Sequence, residues 1–199
     1  MAFTFPRAFL THRGPSEITI RQTNVVGMNV SPFSLVPQVY EWSGAERWEA
    51  EIGFDPMDRA TAEPWVAFFS SMRGPVGSFT MGDPAGQTPR GTASGSVTAT
   101  GSVRSHTITL SGGSGTLLAG DWISFDSSRR LHKVLADVTL GGTPSCEIWP
   151  ALRATIASAT VTYTGAKGRF MLTEPPQWTI GPASIYERLT IKAIEDLRP

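Results

Sequence analysis

Apolar and polar positions alternate most clearly in RWEAEIGFD (47–55), where Trp48, Ala50, Ile52 and Phe54 face one way and Arg47, Glu49 and Glu51 the other. A period of two predicts a strand with one face in a core. EITIRQ (17–22) alternates through Ile18 and Ile20, GSFTM (77–81) is extended, and RFMLTE and SIYERLTIKAIEDL carry strands near the end of the chain. In the last of these, Leu189, Ile191 and Ala193 alternate with Thr190 and Lys192. Between 55 and 77 the period changes. Trp65, Phe68, Phe69 and Met72 fall at i, i+3, i+4 and i+7, which predicts one amphipathic helix over 58–73. Asp58 or Thr61 can cap it, Pro64 falls in or beside its first turn, and Gly74-Pro75 ends it. Its aromatic face carries no acid, base or metal ligand, so it reads as a packing stripe laid across a sheet.

Two segments break the alternation. TNVVGMNVSPFSLVPQVYEWSG (23–44) is apolar and almost uncharged, with Pro32 and Pro37 excluding one long central strand. It reads as two extended arms around a bend. Two roles are open: a folded-back edge covering the core, or an arm that docks on another subunit through Val25, Val26, Met28, Val30, Phe33, Leu35, Val36 and Tyr40. From about 85 the chain becomes rich in Gly, Ser and Thr, with short runs such as SVTATG, HTITL, DWISFD, RLHKVLADV, CEIWP and ATVTYTG separated by turn residues. Such spacing predicts a small β-barrel or compact sandwich. The expected organisation is therefore a discontinuous domain, 1–87 plus 168–199, with an all-β domain, 88–167, inserted into it.

Composition narrows the function classes. Lys plus Arg and Asp plus Glu are 17 each in 199 residues, and a formal charge of zero argues against a dedicated nucleic-acid binder. Low charge with 20 Gly and 15 Pro suits a turn-rich β protein that hides surface against neighbours. The N-terminal stretch lacks the apolar core of a signal peptide, and no window approaches the ~20 apolar residues of a membrane span, so a soluble chain made in the cytoplasm is expected.

Catalytic chemistry finds little support. His12, His106 and His132 sit in separate neighbourhoods, without HExxH, HxH or CxxC, so no intrinsic metal site is expected. GGSG (112–115) reads as a turn rather than a phosphate loop, since no helix follows. Cys146 reads as a packed thiol, Glu49 and Glu51 as outward strand charges, and Asp121 as a turn residue. No cofactor and no enzyme activity are expected. A binding reading does survive: Trp122, Trp149 and Tyr163 of the insert could form a carbohydrate platform. Trp122 and Phe125, three residues apart on one strand, face opposite ways, so at least one of that pair belongs to the core.

An ordered set of short matches resembles a known family. It runs Ser31-Pro32-Phe33, Gln38-Val39-Tyr40, Arg47-Trp48-Glu49-Ala50, Trp65-Val66-Ala67-Phe68, Arg73-Gly74, Gly77-Ser78-Phe79 and Gly82-Asp83-Pro84. It continues with Ala119-Gly120-Asp121-Trp122-Ile123, Leu131-His132-Lys133-Val134, Ile148-Trp149-Pro150-Ala151-Leu152-Arg153 and Lys167-Gly168-Arg169-Phe170-Met171-Leu172. Together these resemble the minor tail and distal tail proteins of siphophages and prophages, bacteriophages with long non-contractile tails. The resemblance implies a tail-tube-like β-sandwich of two packed sheets with one flanking helix. It also implies a homohexameric ring in the virion tail that joins the tube to the tip. Tail tube, tail hub and tape measure proteins would be its partners, with DNA only passing through its lumen. Many members carry a large C-terminal receptor-binding or carbohydrate-binding domain, whereas the extra domain expected here is the internal insert, whose role under the resemblance is to decorate the outer wall or contact a neighbouring tip protein. A carbohydrate-binding adaptor is the rival reading.

Overall fold

The computed structural model describes residues 4–11, 13–126 and 130–198; His12 lies outside them. In chain order the first half contains β1 (Arg7–Ala8), β2 (Glu17–Thr23), β3 (Val26–Val30), β4 (Pro37–Glu41), β5 (Arg47–Phe54), the helix α1 (Arg59–Ser70) and β6 (Phe79–Met81). The alternation in 47–55 is realised directly: Trp48, Ala50, Ile52 and Phe54 of β5 are buried. Asp58 caps α1 with extended backbone, its carbonyl accepting from Ala62 N–H at 3.0 Å. Pro64 is the sixth helical residue, further inside than the first turn, so the helix forgoes its bond to the carbonyl of exposed Ala60. Left-handed backbone at Arg73 and Gly74 then stops the helical run.

The second half contributes β7 (Ser94–Gly101), β8 (Thr107–Ser114), β9 (Thr116–Leu117), β10 (Trp122–Phe125), β11 (Leu131–Val134), β12 (Val138–Thr139), β13 (Ser145–Trp149) and β14 (Ile156–Thr162). It closes with β15 (Gly168–Leu172), β16 (Gln177–Ile180) and β17 (Tyr186–Glu195). The protein is mainly β with one α-helix among the described residues, and it divides into two compact units. One unit holds residues 1–21, 48–85 and 167–199; the other holds 22–47 and 86–166. The segment 22–47, which the expected 1–87 boundary includes in the discontinuous domain, instead groups with residues 86–166.

The first unit is a seven-stranded sheet ordered β1-β6-β15-β17-β5-β2, with β16 also on β17. β17 is its hub. Along one edge it pairs through Ala193 to Glu195 with β15 and through Tyr186 to Thr190 with β16; along the other, Leu189 to Ile194 pair with β5. α1 covers one face. Trp65 meets Phe54 of β5 at 4.8 Å between ring centroids, Phe68 and Phe69 both reach Phe79 of β6, and Phe79 meets Phe170 of β15. Trp65, Phe68, Phe69 and Met72 are all buried. The aromatic stripe is the lid of this core.

In the second unit a closed barrel runs β10-β11-β13-β8-β7-β14, completed by pairing of β14 with both β7 and β10. Val97, Leu110, Ile123, Phe125, Ile148 and Val161 fill its interior, as expected of a small barrel. GGSG is not a free turn. Its first three residues end β8, where Gly112 and Gly113 take positive φ beside a register shift against β7. Gly115 follows at φ +84, and a Cβ there would lie 2.1 Å from the Thr92 carbonyl oxygen. Gly115→Ala is therefore expected to destabilise the barrel by about 1–3 kcal/mol. A lowered urea midpoint with an unchanged m-value would register this.

Candidate functional site

β3 and β4 form a two-stranded antiparallel ribbon whose described strands pair with no other strand. Met28 opposes Val39, and Val26 and Val30 oppose Glu41 and Pro37, so Val26, Met28, Val30 and Val39 share one face. Pro37, whose missing N–H a central ladder would not tolerate, sits at the last pair before the bend. The bend is held by Leu35 N–H on the Ser31 carbonyl at 2.9 Å, with Leu35 in left-handed backbone. Tyr40 lies on the other face and donates its hydroxyl to Gln38 Oε1 at 3.1 Å.

Neither face is covered. Ten of the 17 large hydrophobic side chains exposed among the described residues fall between Val25 and Trp42, with Phe33 at the tip 98% exposed. All eight arm residues anticipated from the sequence are in this set, joined by Val39 and Trp42. An isolated two-stranded ribbon is marginal in water, and this concentration of exposed apolar side chains makes it the candidate interaction surface.

The ribbon is anchored at its base, within its own unit. Trp149 donates its indole N–H to Asn24 Oδ1 at 3.1 Å. Glu46 Oε2 accepts the Ala151 N–H at 2.7 Å, and Arg153 donates to the Glu46 carbonyl at 2.9 Å. Beside these bonds lies a cluster with no local sequence signature. His106 Nε2 is 3.1 Å from Glu46 Oε1 and 3.7 Å from Glu41 Oε1. Glu41 and Glu46 flank a short turn, and His106 immediately precedes β8 some sixty positions away, so spacing rules tuned to local motifs pass over the set.

The proposed carbohydrate platform does not form. Trp122 is buried under the Lys133 ammonium, 4.4 Å from the ring centroid, and Trp149 is buried with its N–H on Asn24. Tyr163 is half-buried against the barrel core and donates its hydroxyl to the Gly95 carbonyl at 2.6 Å. All four residues of β10 are buried, so Trp122 and Phe125 are both enclosed despite pointing oppositely. Stacking a sugar needs an open ring face, and these rings are committed to packing.

The other chemical candidates have structural partners. Asp121 accepts from the Leu118 and Arg90 N–H groups at 2.8 and 2.9 Å, the role expected at a turn. Glu49 pairs with Arg21 of β2 at 2.7 Å. Cys146 is buried; burial pushes its thiol up to about 11, with the Glu147 charge adding to the effect, so the nucleophilic thiolate is suppressed. His132 is buried next to Phe125, with Nδ1–H on the Pro150 carbonyl at 2.8 Å. Burial pushes its imidazole down to about 4, and the Arg130 charge adds to this against the opposing effect of the Pro150 bond. Among the described residues no helix is long and apolar enough to cross a membrane. No protein-family model and no curated protein matches the chain.

Proposed function

We propose that this protein is a structural subunit of a bacteriophage tail tip, a ring of identical copies joining the tail tube to the distal tip around the DNA channel. The observation that carries this reading is the uncovered apolar ribbon. It bears no charge from Thr23 to Tyr40, so it suits a permanent, desolvated contact rather than an electrostatically steered encounter. Its occupant is a second copy of the same chain: a repeated arm-to-neighbour contact is heterologous, and a heterologous contact closes into a ring when its rotation permits. The seven-stranded sheet with its single helix is the part that would carry the tail-tube likeness. Six copies would continue the symmetry of a tail tube. Tube, hub and tape measure proteins are the neighbours this placement implies.

Mass measurement by light scattering, with negative-stain imaging, tests the reading on the full chain. Rings with a central hole that admits duplex DNA are the expected result, formed at high concentration or on a tube end as template. The double substitution Phe33→Ser, Leu35→Ser is expected to abolish assembly while leaving the circular dichroism spectrum unchanged, because both side chains are exposed in the single chain. Assembly that survives this variant would remove the ribbon from the contact.

A further inference from the structure

We infer that Glu41, Glu46 and His106 bind a divalent first-row transition-metal ion, zinc being the one their donor set suits best. One oxygen from each carboxylate and one imidazole nitrogen lie within 4.8 Å of one another. Bonds of about 2.0–2.1 Å at a tetrahedral centre place ligand atoms roughly 3.3 Å apart. The 3.1 and 3.7 Å separations at His106 Nε2 bracket that spacing.

The imidazole is already oriented. Its Nδ1 lies 3.2 Å from the Ile148 carbonyl oxygen, which can only accept, so the ring proton sits on Nδ1. With the ring neutral, Nε2 turns a lone pair toward two carboxylates. A metal-bound histidine commonly has this arrangement, its other ring N–H donated to a backbone carbonyl. A lone pair facing two anions is repulsive unless a cation lies between them.

Glu46 gives independent support. Its side chain is 98% buried, Oε2 takes the Ala151 N–H, and Oε1, aimed into the cluster, has no hydrogen-bond partner. A buried carboxylate oxygen without a hydrogen bond is costly, and a cation held between it and the imidazole would satisfy it. Two carboxylates balance the charge of a divalent ion, and the softness of imidazole favours zinc over calcium or magnesium. Access is open through Glu41, which is largely exposed and lines a surface groove together with Trp42 and Arg104. The ion would join the end of β4 to the residue before β8, fixing the base of the ribbon to the barrel. This inference stands apart from the ring reading.

The test uses the full chain, stripped with chelator and dialysed, then titrated with Zn2+ by calorimetry and with Co2+ by visible absorption. One ion per chain, a Co2+ d–d band and a raised melting temperature are expected. Glu41→Gln, on an exposed side chain that folding does not need, and His106→Ala are each expected to weaken binding by more than about 100-fold. If His106→Ala does not fold, Glu41→Gln decides. No stoichiometric binding, or binding unchanged in these variants, overturns the inference. Absent binding with a His106 resonance that reports a protonated ring would instead assign the cation to a proton.

Discussion

Trp65→Ala is expected to lower the stability of the sheet unit by about 3–5 kcal/mol, the range for emptying a large aromatic site in a packed core. Trp65 is completely buried and sits 4.8 Å from Phe54, 5.0 Å from Phe9 and 5.9 Å from Phe69, measured between ring centroids. Its indole N–H also donates to the Arg13 carbonyl at 3.2 Å. Alanine would remove the ring at the centre of the helix–sheet contact, and the surrounding rings, held by β5, by α1 and by the segment after β1, can collapse only partly into the space. Urea unfolding followed by circular dichroism measures the loss. Val76→Ala, on a side chain that is 64% exposed, serves as the control and should move stability by no more than about 0.5 kcal/mol. A loss under about 1 kcal/mol for Trp65→Ala would mean that α1 is not seated on the sheet.

The second large effect falls on the barrel and appears with acid. His132 is buried neutral, with a pKa lowered from 6.5 to about 4. Between those values the unfolded chain binds a proton there and the folded chain does not, so stability rises with pH and is lost as pH falls from about 6.5 to about 4. A gap of this size corresponds to about 3 kcal/mol across the window. His132→Gln removes the titrating group. Its stability difference from the parent should therefore change by that amount between pH 7 and pH 4, read from urea midpoints at each pH. A parallel pH profile in parent and variant would show that His132 is solvated in the folded state.

The sequence was most legible where local pattern and tertiary burial coincide. In β5 the face bearing Trp48, Ala50, Ile52 and Phe54 is the buried one. The helix lies within the expected 58–73 but ends at Ser70, so Met72 is buried from the turn that follows it rather than from the helix itself. Legibility failed where burial depends on what covers the second face. β10 alternates weakly: Ile123 and Phe125 join the barrel core, while Trp122, on the opposite face, is buried under Lys133, so no open aromatic platform is left. Glycine content in GGSG suggests a turn, but positive φ is equally the requirement of a bulged strand end. The Glu41, Glu46 and His106 cluster needs two segments far apart in sequence to meet, and no local period encodes that. The ribbon was visible as an oddity of composition; only the fold shows that both its faces are bare.

The hub position of β17 has a consequence for biosynthesis. Every strand it pairs with precedes it in the chain, so a ribosome delivers β5, β15 and β16 before the strand that joins them exists. The barrel meets no such delay, since β14, its final strand, is made before β15 begins. Synthesis order therefore permits the barrel to close first, while the β5 edge that pairs with β17 has no partner until β17 emerges.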